Sequence, residues 1–521
     1  MPQHPRGTTA RSCLFSVIAL ASTTIGSLVL ATEPTTGAAP VGADSADPAS
    51  WPRFALHEAR AAAATLDHPH RRTQALEQIA AVNTGLGDCA AARSILTEAV
   101  ATARNIADAS LRDLALRDIA KRQAACNDVS GALATLAAIV APAERDAVGI
   151  AVVGAQVAVA RLPEALQVAD AIGDPVTMSE AKRMIAVAYA RGGRVAEARD
   201  IAERIPDFLV RAMASADIAA LHADIGNAQA LNTARLIARN TPNARQRDVA
   251  LSYVAGIQAQ SGDVHSALAT SAAIKDGTSK AYALTRIASA RVGTTDDAAV
   301  PELLDRAFST ARRAKPTGAT AAVLCEIAHN YVLRGDLVHA RGALDHAYTI
   351  ATSKRRLRYS AVTVEKIARL RARTGDITRA LAIAEGIPDG SSRALLVHDI
   401  LAEQAEKGDV AGALRAADSL SDLRLQVAGQ FGIVGVQMTN GDLAGARASL
   451  RRVLELTRGT SDLGFRSHSL GAVAAAQVEL GDSNEAWPSF QDALATAASV
   501  PDAYARAFAY VNLSDPFTQR P

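Results

Sequence analysis

From Leu56 to Tyr510 the apolar positions recur with helical spacing and are interrupted at regular intervals by a short polar turn. A Gly-Asp pair marks the turn at Gly87-Asp88, Gly262-Asp263, Gly335-Asp336, Gly375-Asp376, Gly408-Asp409, Gly441-Asp442 and Gly481-Asp482. Relaxed forms fill the gaps at Asn127-Asp128, Ala160-Arg161, Gly193-Arg194, Gly226-Asn227 and Thr295-Asp296. Successive turns lie 33, 36 or 40 residues apart. The two common intervals differ by seven residues, about two helical turns, which nearly restores the facing of an apolar stripe. The phasing predicts an all-α chain of about twelve helix-turn-helix repeats.

Each unit follows one grammar. An apolar-alanine pair precedes the turn, as in Ile79-Ala80, Ile119-Ala120, Ile185-Ala186, Ile218-Ala219, Ile287-Ala288, Ile327-Ala328 and Ile367-Ala368. An alanine follows it, as in Ala92, Ala132, Ala198, Ala267, Ala340, Ala380 and Ala446. Small residues at both places let two antiparallel helices approach closely. Glycine ends the first helix because a left-handed backbone costs it little. Aspartate then caps the second helix by accepting its free amides. Short units close with Ile-x-Asp (Ile172-Asp174, Ile205-Asp207, Ile274-Asp276, Ile387-Asp389), whose aspartate caps the next first helix. A base often stands four residues beyond that cap, as in Asp108 and Arg112, Asp207 and Arg211, Asp276 and Lys280, Asp389 and Arg393, Asp462 and Arg466. The spacing suits an ion pair within each helix start, with an anion-binding rail as the alternative.

These residues resemble the tetratricopeptide repeat family, whose helix-turn-helix unit of about 34 residues carries small residues at the helix crossing. The resemblance covers about Leu56 to Tyr510 and departs from the family at its bulky aromatic places, which are mostly Ile, Val, Ala or Leu here. A HEAT-type repeat is the competitor. The resemblance implies an α-solenoid, a right-handed superhelix displaying a long surface for proteins or peptides. It also implies that the first helices line a concave face, which here holds Glu77, Lys121, Arg183, Ser252, Tyr282, His329, Arg369, His398, Phe431 and His468. The lysine and asparagine set with which some relatives clamp a terminal carboxylate is not seen as a cluster. Unequal unit lengths favour an open superhelix over a closed ring. Trp51 to Asp67 should form an opening helix, and Asp502 to Leu513 a closing helix that covers the last repeat or joins a neighbour.

The first fifty residues break the pattern. Arg6 and Arg11 precede a mildly apolar run from Cys13 to Leu30, and Val29-Leu30-Ala31 suits a signal-peptidase site. Residues 1–31 therefore read as a signal peptide, with an uncleaved anchor as the alternative. Residues 32–50 are rich in Ala, Pro and Thr and read as a disordered linker, residues 51–513 as the solenoid and 514–521 as a tail. The expected location is exported, periplasmic or extracellular, with membrane contact confined to the leader.

Charge changes the picture only locally. The net charge is +2 over 521 residues, so no global field advertises nucleic acid. Yet Lys354, Arg355, Arg356, Arg358, Lys366, Arg369, Arg371 and Arg373 face a single acid, Glu365, between Ala351 and Thr374. Lys354, Arg355, Arg356, Arg358, Arg369, Arg371 and Arg373 are the candidate partner-binding residues, suited to an acidic surface, an anionic polymer or lipid head groups. The alternative is a solvated helix face compensated by acids on adjacent repeats.

Catalytic motifs are absent: no phosphate-binding Gly-rich loop, HExxH or GxSxG occurs, and nearly every aspartate falls on a helix cap. No enzyme activity and no cofactor are expected. Cys89 and Cys126 are candidate disulfide partners in an oxidising compartment, the alternative being two small thiols packed like alanine. Cys325 and His329, with His339 and His346, are weighed as metal ligands against scattered surface histidines, and His68-Pro69-His70 is a weaker version. The sequence is read as an exported, non-enzymatic protein-interaction scaffold, with a ligand-binding or hydrolytic α/α protein of the cell envelope as the alternative.

Overall fold

A computed structural model describes residues 47–221, 227–292, 297–353 and 361–517. Among them all regular structure is helical, and the chain is an all-α solenoid of helix-turn-helix repeats. The repeats fall into two compact units. Unit one holds the residues up to Arg122 and those from Gly375 onward; unit two is Gln123–Thr374.

The turn works as the sequence requires. Gly87, Gly193, Gly262, Gly335, Gly375, Gly408, Gly441 and Gly481 all have positive φ. At Gly87 its amide donates to the Thr84 carbonyl at 3.0 Å, while the Asp88 amide donates to the Asn83 carbonyl at 2.9 Å. This doubly bonded helix ending satisfies two carbonyls that would otherwise be orphaned. The same aspartate turns its carboxylate forward, where Asp88 Oδ1 accepts the Ala91 amide at 2.9 Å. Asp128, Asp263, Asp336, Asp409 and Asp442 do likewise. Asp482 carries no such bond and is held by Arg447 of the preceding repeat, at 2.7 and 2.8 Å. Asn127 and Ala160 adopt φ of 56° and 58°, so the relaxed turns keep the geometry without glycine. The turns at Gly226 and Thr295-Asp296 lie outside the described residues.

The seven-residue difference between repeats sits in the second helix. First helices are commonly 17 residues, as in Pro69–Gly85, Pro142–Ala158 and Gly390–Glu406. Second helices of short units have 8 to 10 residues, as in Val129–Leu136, Val195–Glu203 and Val410–Ser419. Those of long units have 14 to 16, as in Val300–Arg313, Cys89–Ala103 and Leu443–Arg458. Long ones bury one stripe, seen at Ala92, Ile95, Leu96, Ala99 and Ala103. Repeats are also tied to each other by hydrogen bonds. Asp146 accepts the amides of Gly173 and Asp174, both at 2.8 Å, and Asp248 accepts that of Asp276 at 2.7 Å.

Unit one contains an arrangement the sequence reading did not anticipate. The opening helix, Trp51–Ala64, buries Pro52, Ala55, Leu56, Ala59 and Ala63, the second-helix stripe displaced by one 40-residue interval. The closing helix, Ala503–Ser514, starts at Asp502, whose carboxylate accepts the Ala505 amide at 2.8 Å, as a first helix does. The two pack together as extensively as Pro69–Gly85 does with Cys89–Ala103. The opening and closing helices, first and last among the described residues, thus complete one repeat between them. Ser514 Oγ donates to the Pro52 carbonyl at 3.1 Å, and Tyr504 Oη to Gln74 Oε1 at 2.9 Å. Trp51, fully buried, stacks on Phe490 at 5.0 Å and meets Trp487 and Phe517 at 5.2 and 6.1 Å. The expected open end is corrected here, because the opening and closing helices bury their faces against each other. The tail expected from residue 514 is corrected too, since Ser514, Pro516 and Phe517 are buried.

Truncating Trp51 to alanine should remove about 3–5 kcal/mol from unit one, the usual cost of emptying a buried aromatic site. Val338→Ala, at a side chain 77% exposed, should change almost nothing, and urea unfolding compares the two. Ala160→Gly relieves a left-handed alanine and should raise stability by about 0.5–1 kcal/mol in the same assay.

Candidate functional site

In unit two, polar side chains run from one first helix to the next. Arg183, on Pro175–Arg191, donates to Glu180 on its own helix at 2.9 and 3.1 Å. Its other arm pairs with Asp217 on the next first helix, Phe208–Leu221. Asp217 also accepts the hydroxyl of Tyr253, on the first helix after that, at 2.5 Å. Three consecutive repeats are therefore bridged by Glu180, Arg183, Asp217 and Tyr253, all four part-exposed. Burial and the hydrogen bond to Asp217 push the Tyr253 hydroxyl up to about 12. Burial alone would lower the Arg183 guanidinium, but the Glu180 hydrogen bond and the Asp217 charge outweigh it and hold the group above its ordinary value. The ladder is thus a fixed row of charge and hydrogen-bonding capacity.

A basic stretch follows on the first helix Ala361–Arg373. Lys366 pairs with Glu326 on the preceding first helix, and Arg369 lies 3.7 Å from Glu365. Arg373 is exposed. Its charge, after burial and together with that of Lys366, holds His329 below the ordinary imidazole range. The seven candidate partner-binding residues therefore separate. Arg369 and Arg373 remain on the surface, whereas Arg371 is corrected: it is buried and paired with Asp345, because it faces the second helix Leu337–Ala351. Lys354, Arg355, Arg356 and Arg358 lie outside the described residues.

Of the projected concave-face residues, Arg183, Tyr282, His329 and Arg369 are half-buried in unit two, as Lys121 is in unit one. Ser252 is buried, and so are Glu77, His398, Phe431 and His468 of unit one. Close helix approach explains the burial around His398. A Cβ at Gly432 would stand 2.4 Å from the His398 carbonyl oxygen, and one at Gly429 would meet Leu401 at 2.5 Å. His468 Nδ1 lies 2.9 Å from the Asn512 carbonyl of the closing helix.

The cysteine expectation is corrected as well. Cys89 and Cys126 are not bridged to each other: Cys89 is part-exposed beside a capping aspartate and Cys126 is buried at a helix end. Cys325 is fully buried, and desolvation pushes its thiol up to about 12. His339 lies 2.7 Å from Asp336 and stacks on Tyr331 at 5.4 Å. Among the described residues no three of His, Cys, Asp and Glu gather closely enough to hold a metal ion. No helix among them is long and apolar enough to cross a membrane.

Two features escaped the sequence reading. A glutamine five residues before the turn hydrogen-bonds a hydroxyl seven residues after it: Gln123 with Thr135 and Gln258 with Thr270 at 2.8 Å, Gln437 with Ser449 at 2.9 Å. The fixed separation of 12 residues was visible in the sequence. The bases four residues beyond the caps also do other work: Arg211 Nε donates to the Ile205 carbonyl at 2.7 Å, closing the end of the preceding helix.

The class this fold defines is the helical-repeat solenoid. No family model and no curated protein matches the chain. Among solved structures it is similar to Ton1535 from Thermococcus onnurineus NA1, with 18% identity over 69% of this chain and 97% of that one, at a TM-score of 0.24. Yeast Tom70 aligns with 12% identity over 78% of this chain and 96% of its own, TM-score 0.25. A circular tandem repeat protein aligns with 12% identity over 86% and 97%, TM-score 0.17.

Glu77 carries the clearest pH consequence. Burial raises its carboxyl to about 8, with the Asp118 charge adding to the effect and Arg122 and Arg117 opposing it. Its folded value lies above the unfolded one, so its stabilising contribution is complete below about pH 4.5 and is lost as pH rises through about 8. Glu77→Gln should therefore flatten the decline between pH 5 and pH 9, a difference on the order of a few kcal/mol in urea unfolding.

Proposed function

We propose that the chain is an exported, non-catalytic tetratricopeptide-like scaffold that holds a protein or peptide partner on the first-helix face of unit two. The observation that carries this reading is the ladder of Glu180, Arg183, Asp217 and Tyr253, which offers fixed polar groups repeat after repeat. An extended or helical segment laid across it meets a surface that needs no further ordering, so little affinity is lost to organising the site. The stretch with Lys366, Arg369 and Arg373 gives the partner's expected character, an acidic segment at that end. Export rests on the leader residues, with cleavage after Ala31 leaving Thr32 as the mature start.

The alternative is a ligand-binding or hydrolytic protein on an α/α scaffold. One observation favours it: the terminal helices complete a repeat instead of leaving the array open-ended.

Affinity capture with residues 32–521 from the native envelope extract separates the two. The scaffold reading expects one protein in stoichiometric amount with the wild type. That protein should be lost with folded Asp217→Asn and weakened by salt or by Arg369→Glu with Arg373→Glu. Recovery of a glycan, lipid or small molecule alone would contradict it and support the alternative.

A further inference from the structure

We propose that the split repeat is an exchangeable joint, at which the opening helix of one chain seats on the closing helix of a second copy of this chain. In an intact repeat the second helix follows the first directly and cannot leave without unravelling the turn. Here the two halves meet through Ser514 and Pro52, 462 residues apart in sequence. No turn joins them, so what holds the opening helix is the fit of its face. Any copy of the chain presents that same face.

The occupant is specified by the interface. The stripe of Pro52, Ala55, Leu56, Ala59 and Ala63 admits close approach to the closing helix. Trp51 fills an aromatic setting made by Trp487, Phe490 and Phe517. A helix without a large aromatic at its first turn leaves that setting empty, which selects the chain's own opening segment.

The hinge is short. Only Thr65–His68 separate the opening helix from Pro69–Gly85. A short connection between two packed helices is where exchange of an identical element between copies arises. Within one chain the effective concentration of the opening helix is high, so closure on itself dominates in dilute solution. The exchanged form gains by mass action as the protein is concentrated.

The test mixes full-length chains carrying Pro52→Cys with isotopically labelled full-length chains carrying Ser514→Cys, at increasing concentration and under mild oxidation. Mass spectrometry of peptides then reads only the 52–514 disulfide, so bridges through the native cysteines do not count. The proposal expects a link between labelled and unlabelled chains whose yield rises at least tenfold over a hundredfold rise in concentration. A chain carrying both substitutions keeps the outcome readable. If it links within itself while the mixed single variants never link, exchange is overturned. If it also fails to link, both the joint and its exchange are overturned. The unsubstituted chain supplies a second readout, since labelled and unlabelled copies should form mixed dimers in native mass spectrometry, and persistence as monomers at every concentration contradicts the proposal.

Discussion

The structure depends on one residue doing two jobs at six of the described turns. The backbone amide of an aspartate such as Asp88 closes the helix behind it, and its carboxylate opens the helix ahead. Between them the chain must pass through a left-handed conformation, which is why glycine precedes the aspartate so often. The turn thereby fixes the angle between two helices within two residues. Once that angle is set, small residues at the crossing suffice, and an alanine-rich chain with few aromatics can build a core. Asp146 and Asp248 extend the logic from helix to helix and from repeat to repeat.

The same constraint explains why the ends meet. A repeat is stable only as a pair, because each helix buries its stripe against the other. The opening helix carries the stripe of a second helix and the closing helix the cap of a first helix, and apart from each other their two complementary faces would be uncovered. Joining them satisfies both with no further structure, and the rare aromatics are spent on that joint: Trp51, Trp487, Phe490 and Phe517 gather there. In unit two the constraint acts differently. First helices held at a constant spacing carry Arg183, Asp217 and Tyr253 into register, and the ladder follows from the repeat itself.

Much of the fold was legible in the sequence. The turn positions, most helix caps, the all-α class and the existence of seven-residue insertions follow from spacing, because they are local rules repeated along the chain. Even Asn127 and Ala160 were placed at turns by phase alone, and both adopt positive φ. The split repeat was missed because turn phasing needs a turn, and the opening and closing helices, 462 residues apart at their contact, are joined by none. Its signal was nevertheless present: Ala55-Leu56 and Glu58-Ala59 stand 40 residues before Ile95-Leu96 and Glu98-Ala99. The candidate site was less legible. Charge counting placed Arg369, Arg371 and Arg373 together, but only helix facing separates buried Arg371 from its neighbours. Residues projected onto a face by analogy, such as His398 and Phe431, are covered where glycines draw the first helices together.

The central claim is that the two terminal helices form one repeat in solution. Native-state hydrogen exchange of the full chain tests it most directly, because chain termini that are not tied down exchange within the dead time. The amides of Trp51–Ala64 and Ala503–Ser514 should be protected together, to the level of Pro69–Gly85, and should lose protection together in Trp51→Ala. Rapid exchange of both helices in the wild type, with Pro69–Gly85 still protected, would contradict it.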